Sequence, residues 1–167
     1  MNLESSAGRG HARHPLITRS TESCWIMELT PLGMFTVKLA KDEIFNVGKG
    51  PAGRRIVFGV ESGTWEGDRI NATVKGSATA DWSTTDANGT MTADVRALIE
   101  TDDGALIYLA YAGRADFSGG PGTAPLFCGL VFETGSEEYL WLNSTVAVMK
   151  GSFPDPLTIS YEVCALA

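Results

Sequence analysis

Histidine is scarce in this sequence. The chain of 167 residues has only His11 and His14, so residues 27–167 contain none. If activity resides in that region, a Ser-His-Asp or Cys-His triad lacks its base, and a histidine-ligated zinc or non-haem iron site lacks its ligands. We therefore expect no metal and no cofactor, and we expect any acid–base chemistry to depend on carboxyl and phenol groups.

Positive charge and long apolar runs are scarce as well. The 13 Lys and Arg residues face 20 Asp and Glu, for a net charge of −7, which disfavours nucleic acids and anionic membranes as partners. No stretch of about 20 apolar residues predicts a membrane-spanning helix. The glycine-rich segment GKGPAGRR (48–55) has neither Walker nor Rossmann spacing. We expect no nucleic acid, no membrane and no nucleotide.

The first 26 residues lack the apolar stretch of a secretory signal and any periodic apolar pattern. We interpret residues 1–26 as a flexible tail or an upstream start that precedes one domain at 27–167. The three cysteines, Cys24, Cys128 and Cys164, form no CxxC motif. An odd number of cysteines without a signal predicts reduced thiols and a cytoplasmic protein.

What the chain does contain is a series of short alternating segments separated by Gly, Asp, Asn and Pro. One helical turn or two are predicted around 38–47. About eight strands at this spacing predict an all-β fold, either a single antiparallel up-and-down barrel or a sandwich, and an eight-stranded barrel can hold one small ligand. The predicted strands are 28–39, 54–62, 69–77, 90–101, 105–113, 125–134, 138–149 and 156–166.

Two of these strands carry unusual side chains. Asp94 and Arg96 are two apart on 90–101, so they share one face. On 138–149, Tyr139, Trp141 and Asn143 share a face that mixes rings with hydrogen-bonding groups, as ligand pockets do. Alternation does not tell which face points inward. The charged pair therefore lies either on a solvated surface or in a polar patch inside a barrel, and we favour the cavity.

The order and spacing of several motifs resemble the domain of unknown function 3237 family. The resemblance covers 27–167 and implies a lipocalin-like β-barrel with an internal cavity and no established reaction. One segment departs from the family pattern, because PLFCGLVFET has Cys128 and Gly129 where the family often has a Tyr-Phe-Arg-Thr-like sequence. The motifs are GPAGRR, SGTWEGDRI, GSATADW, ADVRALIETDDGALIYLAYAG, FETGSEEYLWLN and TISYEV. The matching positions are Gly53, Arg54, Gly63, Gly67, Asp81, Trp82, Asp94, Arg96, Asp103, Gly104, Trp141, Leu142 and Asn143.

Three functions fit these observations. The first is a cofactor-independent isomerase, cyclase or lyase acting on a small hydrophobic carbonyl or phenolic compound, with Asp94 and Arg96 as catalytic residues. The second is a barrel that binds such a ligand without catalysis, and the third is a structural module with a filled barrel. A homodimer is one alternative for the oligomeric state. The predicted substrate-binding residues are Arg54, Asp81, Trp82, Tyr108, Tyr111, Trp141 and Asn143.

Overall fold

The computed structural model describes residues 27–167. The predicted flexible tail at 1–26, with His11, His14 and Cys24, lies outside the described residues. Residues 27–167 form ten strands and two short 3₁₀ helices. The strands are β1 (Leu29–Gly50), β2 (Gly53–Glu66), β3 (Asn71–Val74), β4 (Ala80–Asp81), β5 (Thr84–Thr85), β6 (Thr90–Thr101), β7 (Leu106–Asp116), β8 (Leu126–Glu133), β9 (Val146–Asp155) and β10 (Thr158–Leu166). The 3₁₀ helices are η1 (Gly76–Ala78) and η2 (Glu137–Ser144).

The strands close into one antiparallel barrel. Each strand from β6 to β10 pairs with the next, β10 pairs with β1, and β1 pairs with β2. The short strands β3, β4 and β5 follow one another between β2 and β6, so together they occupy a single position in the wall. The wall therefore has eight positions, which confirms the predicted barrel of about eight strands. Within the described part of the chain, no helix is long and apolar enough to cross a bilayer.

Two local predictions are wrong. Residues 38–47 form no helical turn, because β1 runs through them and its second half pairs with the start of β2, for example Ile44 with Phe58. The predicted strand 138–149 is instead η2, followed by β9 from Val146 onward. Tyr139 and Leu142 are the buried residues of η2. Their spacing of three residues is the period of a 3₁₀ helix, and the two-residue alternation of a strand does not match it.

The end of the barrel at the β6–β7 turn is filled by large side chains. Trp65 packs against Phe35 and Phe132, with ring centroids 5.4 and 5.9 Å away. Its indole Nε1 donates a hydrogen bond of 3.3 Å to the carbonyl oxygen of Leu32. Leu142 of η2 is fully buried in the same core. These contacts leave the opposite end of the barrel as the place for a ligand.

Candidate functional site

A cavity of about 610 Å³ opens at the end of the barrel formed by β5, the β7–β8 loop and the β9–β10 turn. This volume is in the range of small-molecule sites and is inconsistent with a filled barrel. Its wall is mostly apolar, with a few polar groups, as a ligand site requires. The apolar side chains include Leu39, Ile56, Phe58, Met91, Phe117, Phe153 and Ile159, and the polar and charged ones are Arg54, Asp81, Ser83, Thr85 and Asp155.

The segment that carries the polar groups is short and tightly held. Along β4 and β5, Asp81, Ser83 and Thr85 line the cavity, because alternate residues of an extended chain point to the same side. The backbone N–H of Trp82 donates 2.9 Å to the carbonyl of Asp94, and that of Ile56 donates 3.0 Å to the carbonyl of Ser83. Backbone hydrogen bonds to β2 and β6 therefore fix the position of these side chains along the barrel axis.

Of the two carboxyl groups that line the cavity, Asp81 and Asp155, Asp81 is the buried one. Only 8% of the residue is exposed. The Ser83 hydroxyl donates 2.5 Å to its Oδ2, and the backbone N–H of Asp94 donates 3.1 Å to its Oδ1. Burial raises the pKa of Asp81 above its ordinary value, the two hydrogen bonds oppose that rise, and the nearby Asp94 carboxylate adds to it. A carboxyl group with a raised pKa can exchange protons closer to neutral pH than an exposed aspartate.

Three further titratable groups lie in the barrel interior near Asp81. Tyr111 and Tyr161 are buried, and their ring centroids are 5.7 Å apart. Burial raises the pKa of both phenols, and the Asp81 charge raises them further. Burial and Asp81 raise the pKa of the Cys128 thiol to about 12. The thiol therefore stays protonated and is a poor nucleophile.

The prediction that Asp94 and Arg96 line a cavity is wrong. Their side chains lie on the outer surface, 51% and 56% exposed, and form an ion pair of 3.3 Å. The alternate residues of β6, including Val95 and Ala97, are buried in the core. Burying the aliphatic face removes more apolar surface from water, so the charged face points outward. An exposed pair of this kind contributes at most about 1 kcal/mol to stability.

The structure brings two of the seven predicted binding residues to the cavity and places a third in the core near Asp81. Arg54 and Asp81 line the cavity, and Tyr111 lies in the core near Asp81. The other four predicted residues lie away from the cavity. Trp82 is 37% exposed, outside the barrel near Arg96. Tyr108 and Asn143 border a separate shallow depression, and Trp141 stacks under Arg69, whose guanidinium carbon is 3.6 Å from the ring centroid.

Sequence reasoning missed Ser83 and Tyr161. Ser83 is two residues after Asp81, so the alternation of an extended segment could have placed both on one face. Tyr161 belongs to TISYEV, where Ile159, Tyr161 and Val163 also alternate. These three residues are buried. Nothing in the sequence indicates that Tyr161 contacts Tyr111, because that contact depends on closure of the barrel.

The raised pKa of Asp81 makes stability depend on pH. The folded protein keeps this proton at pH values where the unfolded chain has lost it, so the contribution is complete below the ordinary value of 3.8 and is lost as pH rises through the folded-state pKa. As pH rises between these two pKa values, we expect the free energy of unfolding of Asp81→Asn to increase relative to that of wild type. Each pH unit between the two pKa values corresponds to about 1.4 kcal/mol. Urea unfolding from about pH 4 to about pH 8 measures the difference, and a difference that is constant with pH contradicts the expectation.

Comparison with known proteins supports the fold and the predicted resemblance. A family described as "Protein of unknown function (DUF3237)" matches residues 27–166. A β-barrel-like protein from Acinetobacter baumannii is 31% identical, with a TM-score of 0.77 over 88% of this chain and 100% of that chain. A protein of unknown function from Clostridium acetobutylicum has the same TM-score at 22% identity over 87% and 100% of the two chains, which bears on fold alone.

A third solved structure is described as an enzyme from Penicillium herquei. It is 26% identical to this chain, with a TM-score of 0.59, and the match covers 83% of this chain and 96% of that one. No curated protein matches the sequence significantly. These comparisons identify the fold and the family, and they do not identify a reaction.

Proposed function

Because this chain belongs to the DUF3237 family of proteins of unknown function, we propose its function from its own site: a small-molecule-binding barrel that catalyses proton transfer without a cofactor. The observation that carries this proposal is the buried carboxyl group of Asp81 at the wall of an open, mostly apolar cavity. The structural similarity to a protein described as an enzyme from Penicillium herquei supports a catalytic role. We infer an isomerase, cyclase or lyase.

The substrate class follows from the lining. Phe58, Phe117 and Phe153 favour a small hydrophobic or aromatic compound. The buried carboxyl group of Asp81 suits a carbonyl or phenolic substrate whose C–H or O–H proton is moved. In the ionised form, Asp81 takes a proton from the carbon next to a carbonyl and leaves an enolate. The protonated carboxyl then returns the proton to the same or another atom, so atoms and charge balance. Arg54 at the rim supplies positive charge that can attract an anionic substrate group.

A second candidate is a barrel that binds a ligand without transforming it. It is favoured by the hydrogen bonds that already occupy both carboxyl oxygens of Asp81, one from Ser83 and one from the backbone of Asp94. In that case the carboxyl group only anchors β4 and β5. The two candidates share one cavity and one ligand class, and they differ in whether a C–H bond of the ligand exchanges its proton with solvent.

Both candidates predict that filling the cavity abolishes binding. Thr85 lines the cavity, so we expect Thr85→Trp to block it. The matched control is Thr84→Trp, since Thr84 alternates with Thr85 and is absent from the lining. The measurement is thermal unfolding with a panel of phenols, enones and short keto acids. A ligand at about 100 times its Kd adds roughly 2.7 kcal/mol, which raises Tm by about 5–11 °C in a domain of this size.

The shift should occur in wild type and in Thr84→Trp and be lost in Thr85→Trp. Equal shifts in both variants would place the ligand elsewhere. For each compound that binds, NMR of the ligand in D₂O then follows exchange of the protons next to its carbonyl. Protein-dependent exchange supports the enzyme, and binding without exchange or conversion supports the carrier.

A further inference from the structure

The outer surface of β7, β8 and β9 has an uncharged centre. We call this surface the outer apolar face and define it by Ala112, Phe127, Gly129, Val131, Val146 and Val148. Phe127, Val131 and Val146 are 57%, 46% and 48% exposed. The strand register makes the face continuous, because Gly129 pairs with Ala112 on one side and Val148 on the other, and Val131 pairs with Val146. A continuous apolar surface of this kind is typical of an interaction site.

Gly129, at the middle of this face, has no role within the fold that requires glycine. Its φ is not among the positive values found at the turn glycines. A Cβ built on it would meet no atom within 4 Å. Glycine in the middle of a strand weakens the strand, and it often marks a place where another backbone approaches closely. Among residues 27–167, no atom occupies the space beside Gly129 that a side chain would take, so the position is suited to contact with another molecule.

The two ends of the face carry charges of opposite sign, positive at one end and negative at the other. At one end, Arg114 and Lys150 pair in register with Phe127. At the other end, β8 ends at Glu133. Two copies can stack face to face about a two-fold axis that lies in the face and runs perpendicular to the strands. Glu133 of one copy then lies over Phe127 of the second, between Arg114 and Lys150 of that second copy. The chain as a whole has a net charge of −7, so pairing these opposite charges lowers the repulsion between two copies at their contact surface.

We propose that the outer apolar face is the interface of a homodimer, with a second copy of this chain as the partner. The two copies contact each other through the same residues, as a two-fold interface requires. The flat centre formed by Gly129 and Ala112 lets the two sheets approach closely, and the valines exclude water around it. The face lies on the outside of the wall, so the cavity stays open in the dimer, and this proposal is independent of the proposed reaction.

The test compares Gly129→Arg with Ser62→Arg in the full chain. Ser62 is an exposed residue of β2, so its variant carries the same added charge away from the face. Light scattering after size exclusion and sedimentation velocity over a range of concentrations give the molar mass and the dissociation constant. We expect wild type and Ser62→Arg to have twice the monomer mass of 17.8 kDa. Gly129→Arg should raise the dimer dissociation constant by roughly 100-fold or more, because it buries unpaired charges.

Circular dichroism and Tm establish that the variant is folded. If Gly129→Arg misfolds, Val131→Asp provides the same test, because the Val131 side chain is on the outside of the barrel. A wild-type protein that is monomeric at every concentration overturns the proposal. So does a folded variant at this face that dimerises as well as wild type.

Discussion

Asp81→Asn should lower the rate of protein-dependent proton exchange on a bound carbonyl compound by about 100- to 10,000-fold, the usual contribution of a general base. The amide cannot accept a proton from carbon, yet it has nearly the shape of the carboxyl group. Its oxygen can still accept the N–H of Asp94, which now donates 3.1 Å to Asp81. Ligand binding should therefore persist. Exchange in D₂O, followed by NMR at saturating ligand, measures the rate.

The matched control for this change is Asp94→Asn. It removes the same charge from a carboxylate on the neighbouring strand, but the Asp94 side chain is 51% exposed on the outer surface. We expect it to change exchange by less than about tenfold, through the small influence of that charge on the pKa of Asp81. Equal losses in the two variants, or full exchange in Asp81→Asn, would remove Asp81 from the mechanism.

The largest expected effect on stability is that of Trp65→Ala. Trp65 is 1% exposed and contacts Phe35 and Phe132 at the filled end of the barrel. Its removal leaves a cavity and also loses the hydrogen bond to Leu32. Such a truncation lowers the free energy of unfolding by about 3–5 kcal/mol. In a domain of this size, Tm falls by roughly 10 °C or more. Urea and thermal unfolding measure both quantities.

Trp82→Ala is the control for this experiment. The same two residue types are exchanged, but Trp82 is 37% exposed, and the Arg96 guanidinium carbon lies 5.9 Å from its ring centroid. We expect a loss of about 1 kcal/mol or less, as for most surface changes. If the two tryptophan variants were equally destabilised, the packing of the filled end would not be the main source of stability.

Local sequence signals were enough to predict about eight strands in an all-β fold, and the family resemblance favoured a barrel over a sandwich, but neither gave the orientation of the sheet's faces. Turn residues and two-residue alternation depend on the backbone of a few neighbouring positions, so they indicate strands directly. Whether Asp94 or Val95 points inward depends on how the whole sheet curves. The structure resolves this by burying Val95, which leaves the ion pair of Asp94 and Arg96 in solvent.

The candidate site was predicted only in part for a related reason. Asp81 stood in a recognisable motif, yet its burial depends on β2 and β6, which flank it from distant parts of the chain. In the segment 138–149 the difficulty is local, because the pattern of apolar residues fits more than one secondary structure. Its residues fit a two-residue pattern as well as a three-residue one, and the burial of Tyr139 and Leu142 favours the latter. Short apolar patterns carry too little information to separate these cases.

The closure of the barrel also determines the order in which the chain can fold. β1 pairs with β2 close by in sequence, but its other edge pairs with β10, as between Leu29 and Leu166. During synthesis, that edge of β1 therefore stays unpaired until almost the whole domain has been made. Contacts of such long sequence separation make folding slow, and the uncovered edge is open to pairing with other chains. Completion of β10 is thus the step that ends the exposure of a nascent chain to aggregation.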